Sequence, residues 1–152
     1  MKKIIIYLLP LLALISCDNS HTYDSFTVRS YDVHIGAADW QYTDAANNNY
    51  FYCVLDMPEI TSSVFNNGEV NAYRVYNKNT NDAFKHILPD VLHCEDIVND
   101  QVFLYTTTVD CIYGVGWLEF DYRASDFAYE VGNYMDFAPK SMDFTIVVTT
   151  RN

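Results

Sequence analysis

Glu119-Phe120-Asp121 is the feature of this chain with the clearest chemistry. Two carboxylates placed two apart on a strand leave the same face, as the acids of some β-sandwich glycosidases do. Those enzymes carry a Glu-x-Asp-x-x-Glu pattern, and here the third acidic position is held by Arg123 or Ala124. The pair therefore reads as a solvated strand face, and glycoside hydrolysis through Glu119 and Asp121 ranks as the remotest of three functions.

The other reactive side chains assemble no better. His93-Cys94 together with His86 offers three zinc ligands, but the spacing matches no tight ligand pair and a fourth is not evident. His21, His34, His86 and His93 are all expected to face solvent. The acidic run Glu95-Asp96-Ile97-Val98-Asn99-Asp100 has the charge for calcium but neither the alternating oxygen ligands nor the central glycine of an EF-hand loop, so it reads as a solvated turn. There is no Gly-x-Ser-x-Gly elbow, no phosphate-cradling glycine loop and no protease signature around a cysteine. No catalytic residue, metal or cofactor is expected.

Two aromatic groups could bind instead of react. Trp117 stands beside Glu119 and Asp121, and an indole flanked by carboxylates can stack on a sugar ring while the acids accept its hydroxyls. Trp40 with Tyr42 is the second group, although for Trp40 burial as the plug of one end of a core ranks ahead of binding, whereas for Trp117 covering a sheet edge and binding rank level.

The first seventeen residues give the address. Met1-Lys2-Lys3 leads into the apolar run Ile4 to Leu12 and closes on Leu14-Ile15-Ser16-Cys17. A positive start, an apolar stretch too short for a permanent span and a small residue before cysteine form a bacterial lipoprotein signal. Residues 1–16 are expected to be removed, Cys17 to carry the acyl chains, and residues 17–22 to form a polar lipidated tether. The expected location is the cell envelope, at the outer membrane, on either its periplasmic or its surface face. Without Lys2 and Lys3, seven basic residues face twenty acidic ones. That balance excludes a nucleic-acid partner, which needs a basic face, and leaves the lipid to hold the chain to the membrane.

Residues 23–152 are the right size for one domain. Apolar residues recur with period two over Tyr50 to Met57, Glu69 to Tyr76, Gln101 to Tyr113, Trp117 to Tyr122 and Met142 to Thr149, with a short strand from Ala83 to Leu88 and a fragment at Val91 to Cys94. Phe26 and Val28 share one parity while Tyr31, Val33 and Ile35 share the other, which predicts a bulge near Ser30 in a first strand over Phe26 to Ile35. Pro58 to Gly68 has room for a single helical turn. One apolar face per strand implies an all-β fold, a single sandwich of antiparallel strands, with a small β-barrel as the alternative.

The period also assigns the thiols. Cys53 shares a face with Phe51 and Leu55, and Cys111 with Phe103 and Val109, so both should point into the core; Cys94 lies apart. All three are expected to be reduced, with Cys53 to Cys111 across the core as the one bridge worth entertaining.

The motifs Ala38-Asp39-Trp40, Tyr50-Phe51-Tyr52, Met57-Pro58-Glu59-Ile60-Thr61, Asn67-Gly68-Glu69-Val70, Leu88-Pro89 and Phe144-Thr145-Ile146-Val147-Val148 resemble those of small uncharacterised lipoproteins and secreted β domains of Bacteroidetes. Members of that group often place tryptophan before the Leu-Pro pair, where this chain has Lys85-His86-Ile87. The resemblance implies the fold and a cell-envelope setting, with no catalytic residue to carry over. The leading expectation is a lipid-anchored extracytoplasmic interaction or binding domain without catalytic activity, its partner a glycan or an envelope protein. A carbohydrate-binding accessory lipoprotein is the alternative.

Overall fold

Runs of β-branched and aromatic residues at period two become nine strands in the computed structural model, which describes residues 25–45, 48–98, 101–125 and 137–151. The signal-like segment, Cys17, the tether with His21, and Asn99-Asp100 of the acidic run lie outside the described residues. The strands are β1 (Phe26–Ile35), β2 (Gln41–Ala45), β3 (Asn48–Met57), β4 (Glu69–Tyr76), β5 (Phe84–Ile87), β6 (Asp90–Val98), β7 (Gln101–Gly114), β8 (Gly116–Ala124) and β9 (Met142–Arg151). Two antiparallel sheets form, ordered β1-β9-β4-β5 and β2-β3-β8-β7-β6. Both sheets have free ends, so the fold is an all-β sandwich and not the barrel alternative.

The inner faces come from alternate residues. Leu118 and Phe120 of β8, Val109 of β7 and Phe51 and Cys53 of β3 meet Phe144, Ile146 and Val148 of β9, Val70 and Ala72 of β4 and Ile35 of β1. Phe120 and Phe144, both fully buried, stack across the interface with ring centroids 4.0 Å apart. Pro58 follows β3, and the chain then makes one short helix, α1 (Ser62–Asn67). Its N-cap Thr61 accepts a bond from the Val64 amide, and its buried Val64 seals the sandwich end. Gly68 ends the helix where a Cβ would stand 2.3 Å from the Thr149 carbonyl oxygen, so only glycine lets α1 approach β9 this closely.

Several expectations need correction. β1 has no bulge: it pairs with β9 without interruption from Phe26 opposite Arg151 to Ile35 opposite Met142. The parity switch is resolved by exposure, since Phe26 and Val28 point outward with 60% and 62% of their surface free. The supposed acidic turn is strand, because Glu95 to Val98 continue β6 opposite Leu104 to Gln101. What read as a fragment at Val91 to Cys94 is thus a nine-residue edge strand. β2 was not foreseen, as Gln41-Tyr42-Thr43-Asp44-Ala45 offers almost no apolar alternation. Cys53 and Cys111 do not face each other across the core. Both flank Phe120 in one sheet, on β3 and β7 respectively, two strand spacings or roughly 9.5 Å apart and beyond bridging distance. All three described cysteines are free.

Candidate functional site

The strand parity that sends Leu118, Phe120 and Tyr122 inward sends Trp117, Glu119, Asp121 and Arg123 to the outer face of the five-stranded sheet. Register then fixes their neighbours: Tyr52 and Asp110 stand on either side of Asp121, Val54 and Ile112 on either side of Glu119, and Asp56 and Gly114 on either side of Trp117. The result is a sheet face carrying tyrosines, an indole and carboxylates.

This face is not uniformly solvated, which corrects the expectation for the Glu119 and Asp121 pair. Asp121 is 6% exposed. Its Oδ2 accepts a bond from Arg123 Nη2 at 3.0 Å, while Oδ1 is buried without a hydrogen-bond partner. The Arg123 guanidinium lies 4.3 Å from the centroid of the Tyr50 ring, so one cation serves both the acid and the aromatic. Burial, followed by a hydrogen bond to Asp121 and the repulsion of its charge, raises the Glu119 carboxyl above its ordinary range; Arg123 offsets part of this. Tyr50 is also raised, by burial and then by the charges of Asp121 and Glu119. Tyr52 donates its hydroxyl to Gln41 Oε1 at 3.0 Å and extends the polar surface to β2.

Trp117 sits at the margin of the same face with 39% of its surface free. Gly114 makes its seat: a Cβ there would lie 2.6 Å from the indole Cε2 and Nε1. Gly116, at φ +86°, supplies the left-handed turn that starts β8. Trp40 and Tyr42 belong elsewhere. Trp40 is 8% exposed and packs on Tyr122 at 6.3 Å, and Tyr42 packs on Phe51 at 5.2 Å, so this pair closes one end of the core and offers no platform to a ligand.

The histidines do not converge on a metal. His34 Nδ1 lies 3.1 Å from Asp143 Oδ1, His86 Nδ1 lies 3.2 Å from Asp90 Oδ1, and His93 Nδ1 lies 3.3 Å from Thr106 Oγ1. Cys94 turns to the inner face, toward Thr107. Among the described residues no group of three His, Cys, Asp or Glu side chains is placed to hold a metal ion.

Two polar constellations escaped the sequence reading. At one end of the sandwich Asp90, 3% exposed, accepts bonds from Arg74 Nη1 at 3.1 Å and from the Tyr76 hydroxyl on Oδ2, with His86 at Oδ1. Arg74, Tyr76 and His86 come from β4 and β5 and Asp90 from β6, so the cluster ties the two sheets together. Near the other end, a cleft of about 450 Å³ opens between β1 and α1, with Arg29, Tyr31, Glu59 and Thr61 in its walls. Arg29 has no ion-pair partner among the described residues. Its position was legible in principle, because it shares parity with the inward Tyr31, Val33 and Ile35.

Against protein-family models, curated proteins and solved structures, the chain has no match.

Proposed function

We propose that this chain is a lipid-anchored, extracytoplasmic binding domain without catalytic activity, and that the outer face of β3, β8 and β7 is its ligand surface. The observation that carries the reading is the composition of that face: a half-exposed indole seated on glycine, two tyrosines, and carboxylates held by register around a single arginine. Such a surface recognises; it is poorly arranged to cleave. Glycosidase acids stand roughly 5 to 9.5 Å apart on opposite sides of the scissile bond, whereas Glu119 and Asp121 lie two residues apart on one strand face. The sequence supports the anchor through the apolar run ending at Ser16-Cys17.

A glycan is favoured over a protein ligand by one feature, the exposed Trp117 flanked along its own strand by Glu119. Indole stacks on the apolar face of a sugar while carboxylates accept its hydroxyls. Screening residues 23–152 on a glycan array, with Trp117→Ala as the control, tests both points. Retained sugars that are lost with Trp117→Ala are the expected result. No retention by the parent would set the glycan aside, and retention unchanged by Trp117→Ala would remove the ligand from this face. The anchor is tested separately: Cys17→Ala should abolish incorporation of a palmitate analogue, and unchanged labelling would refute it.

A further inference from the structure

We propose that β6 is a self-association edge through which two copies pair antiparallel, in the register centred on Cys94, so that their five-stranded sheets continue as one. The sandwich has four edge strands. β2 and β5 are short, five and four residues, and β5 carries Lys85 and leads into Pro89. β1 is long, but its outward Asp32 is taken by Thr145 and its His34 by Asp143. β6 has nine residues with no lysine, arginine or proline, its charges being the acids Asp90, Glu95 and Asp96, and it pairs without a bulge to β7. A long, unbulged edge without lysine or proline is a template for another strand. Exposed apolar side chains lie along it: Val91 is 50% exposed and Leu92 37%.

The sequence of the strand selects both the occupant and the register. Val91, His93, Glu95 and Ile97 share the outer face, opposite Thr108, Thr106, Leu104 and Val102 of β7. In a two-fold antiparallel pair that keeps the outer faces continuous, each register is centred on one residue. Centring on Glu95 opposes two like carboxylates. Centring on His93 sets Val91 against Glu95. On the outer face, centring on Cys94 places His93 opposite Glu95 and Val91 opposite Ile97, each twice, matching polar with polar and apolar with apolar there, while on the other face Leu92 stands opposite Asp96. Glu95 is exposed and has no ion-pair partner among the described residues. In that register the two Cys94 residues are directly opposed, with Cα atoms about 5 Å apart, inside the range a disulfide spans. Cys94 thus reports the register without being needed for the pairing.

The experiment uses residues 23–152, which contain every strand of both sheets. Sedimentation of the reduced protein should show a dimer, and Val91→Lys, which sets a lysine against Ile97, should weaken it by at least about tenfold while leaving the exposed position's fold intact. Register is read by adding oxidised glutathione, which takes the two electrons and two protons as the Cys94 thiols join. Parent protein should form a linked dimer and Cys94→Ser should not. In the Cys94→Ser background, His93→Cys mixed with Glu95→Cys should cross-link faster than either variant alone. A parent that stays monomeric at high micromolar concentration, or equal cross-linking of the mixed and separate variants, would overturn the proposal.

Discussion

Asp121 and Arg123 act on Glu119 with opposite sign, and the consequence is a stability difference between two single substitutions. Glu119 holds its proton more tightly in the folded chain than in the unfolded one. Its contribution to stability is therefore complete below the ordinary carboxylate pKa and is lost as pH rises through the raised value. Glu119→Gln fixes the neutral form, so urea denaturation at neutral pH should find it no less stable than the parent, with a flatter pH profile across that window. Arg123→Ala leaves the buried Asp121 carboxylate without its donor and should cost about 1–3 kcal/mol, less than a fully buried pair because Arg123 is partly solvated. If the two variants behave alike, the opposed action of Asp121 and Arg123 on Glu119 is wrong. At this scale the sequence was half legible. Spacing correctly put Glu119 and Asp121 on one face, but the burial of Asp121 depends on Arg123, Tyr50 and Tyr52, and the contribution of β3 is visible only once its register with β8 is known.

The strands are held together by more than their apolar faces. Asp90 collects β4, β5 and β6 at one end of the sandwich through Arg74, Tyr76 and His86, and Arg74 is only 16% exposed. Asp90→Ala should lower stability by about 3 kcal/mol, measured by denaturant midpoint, because it strands a mostly buried guanidinium. The cluster also predicts the alkaline limit. Burial, then the hydrogen bond to Asp90, pushes the Tyr76 hydroxyl up to about 12. Its neutral form stabilises the fold fully below about pH 10, and that contribution disappears as pH rises from 10 to 12. Tyr76→Phe should flatten the pH dependence of the melting temperature over that interval, followed with tyrosinate absorbance as the titration marker. Strand positions were largely readable from period two, as with β4 and β9, whose apolar residues alternate cleanly. Elements that escaped did so for physical reasons. β2 is an edge strand with little to bury, and β6 interrupts its apolar residues with Asp90, Glu95 and Asp96, so neither face alternates cleanly. The phase change in β1 reflects an outward Phe26 and Val28, a cost in exposure that sequence alone renders as a kink.

For the whole molecule, the first and last described strands are partners, and β9 lies between β1 and β4. β1 and β4 make no ladder with each other; each depends on β9 for its hydrogen bonds on that side. Phe144, Ile146 and Val148, on β9, also supply much of the four-stranded sheet's share of the core. A chain cut after Ser141 should consequently be digested rapidly by a nonspecific protease, whereas the domain to Asn152 should resist; a truncated chain with equal resistance would contradict this dependence. β9 is the last of the described strands in the sequence, so β1 and β4 are joined only after both of them have been made. Until this ten-residue strand is in place its two neighbours have no common partner, and the four-stranded sheet is two separate pieces waiting for one bridge.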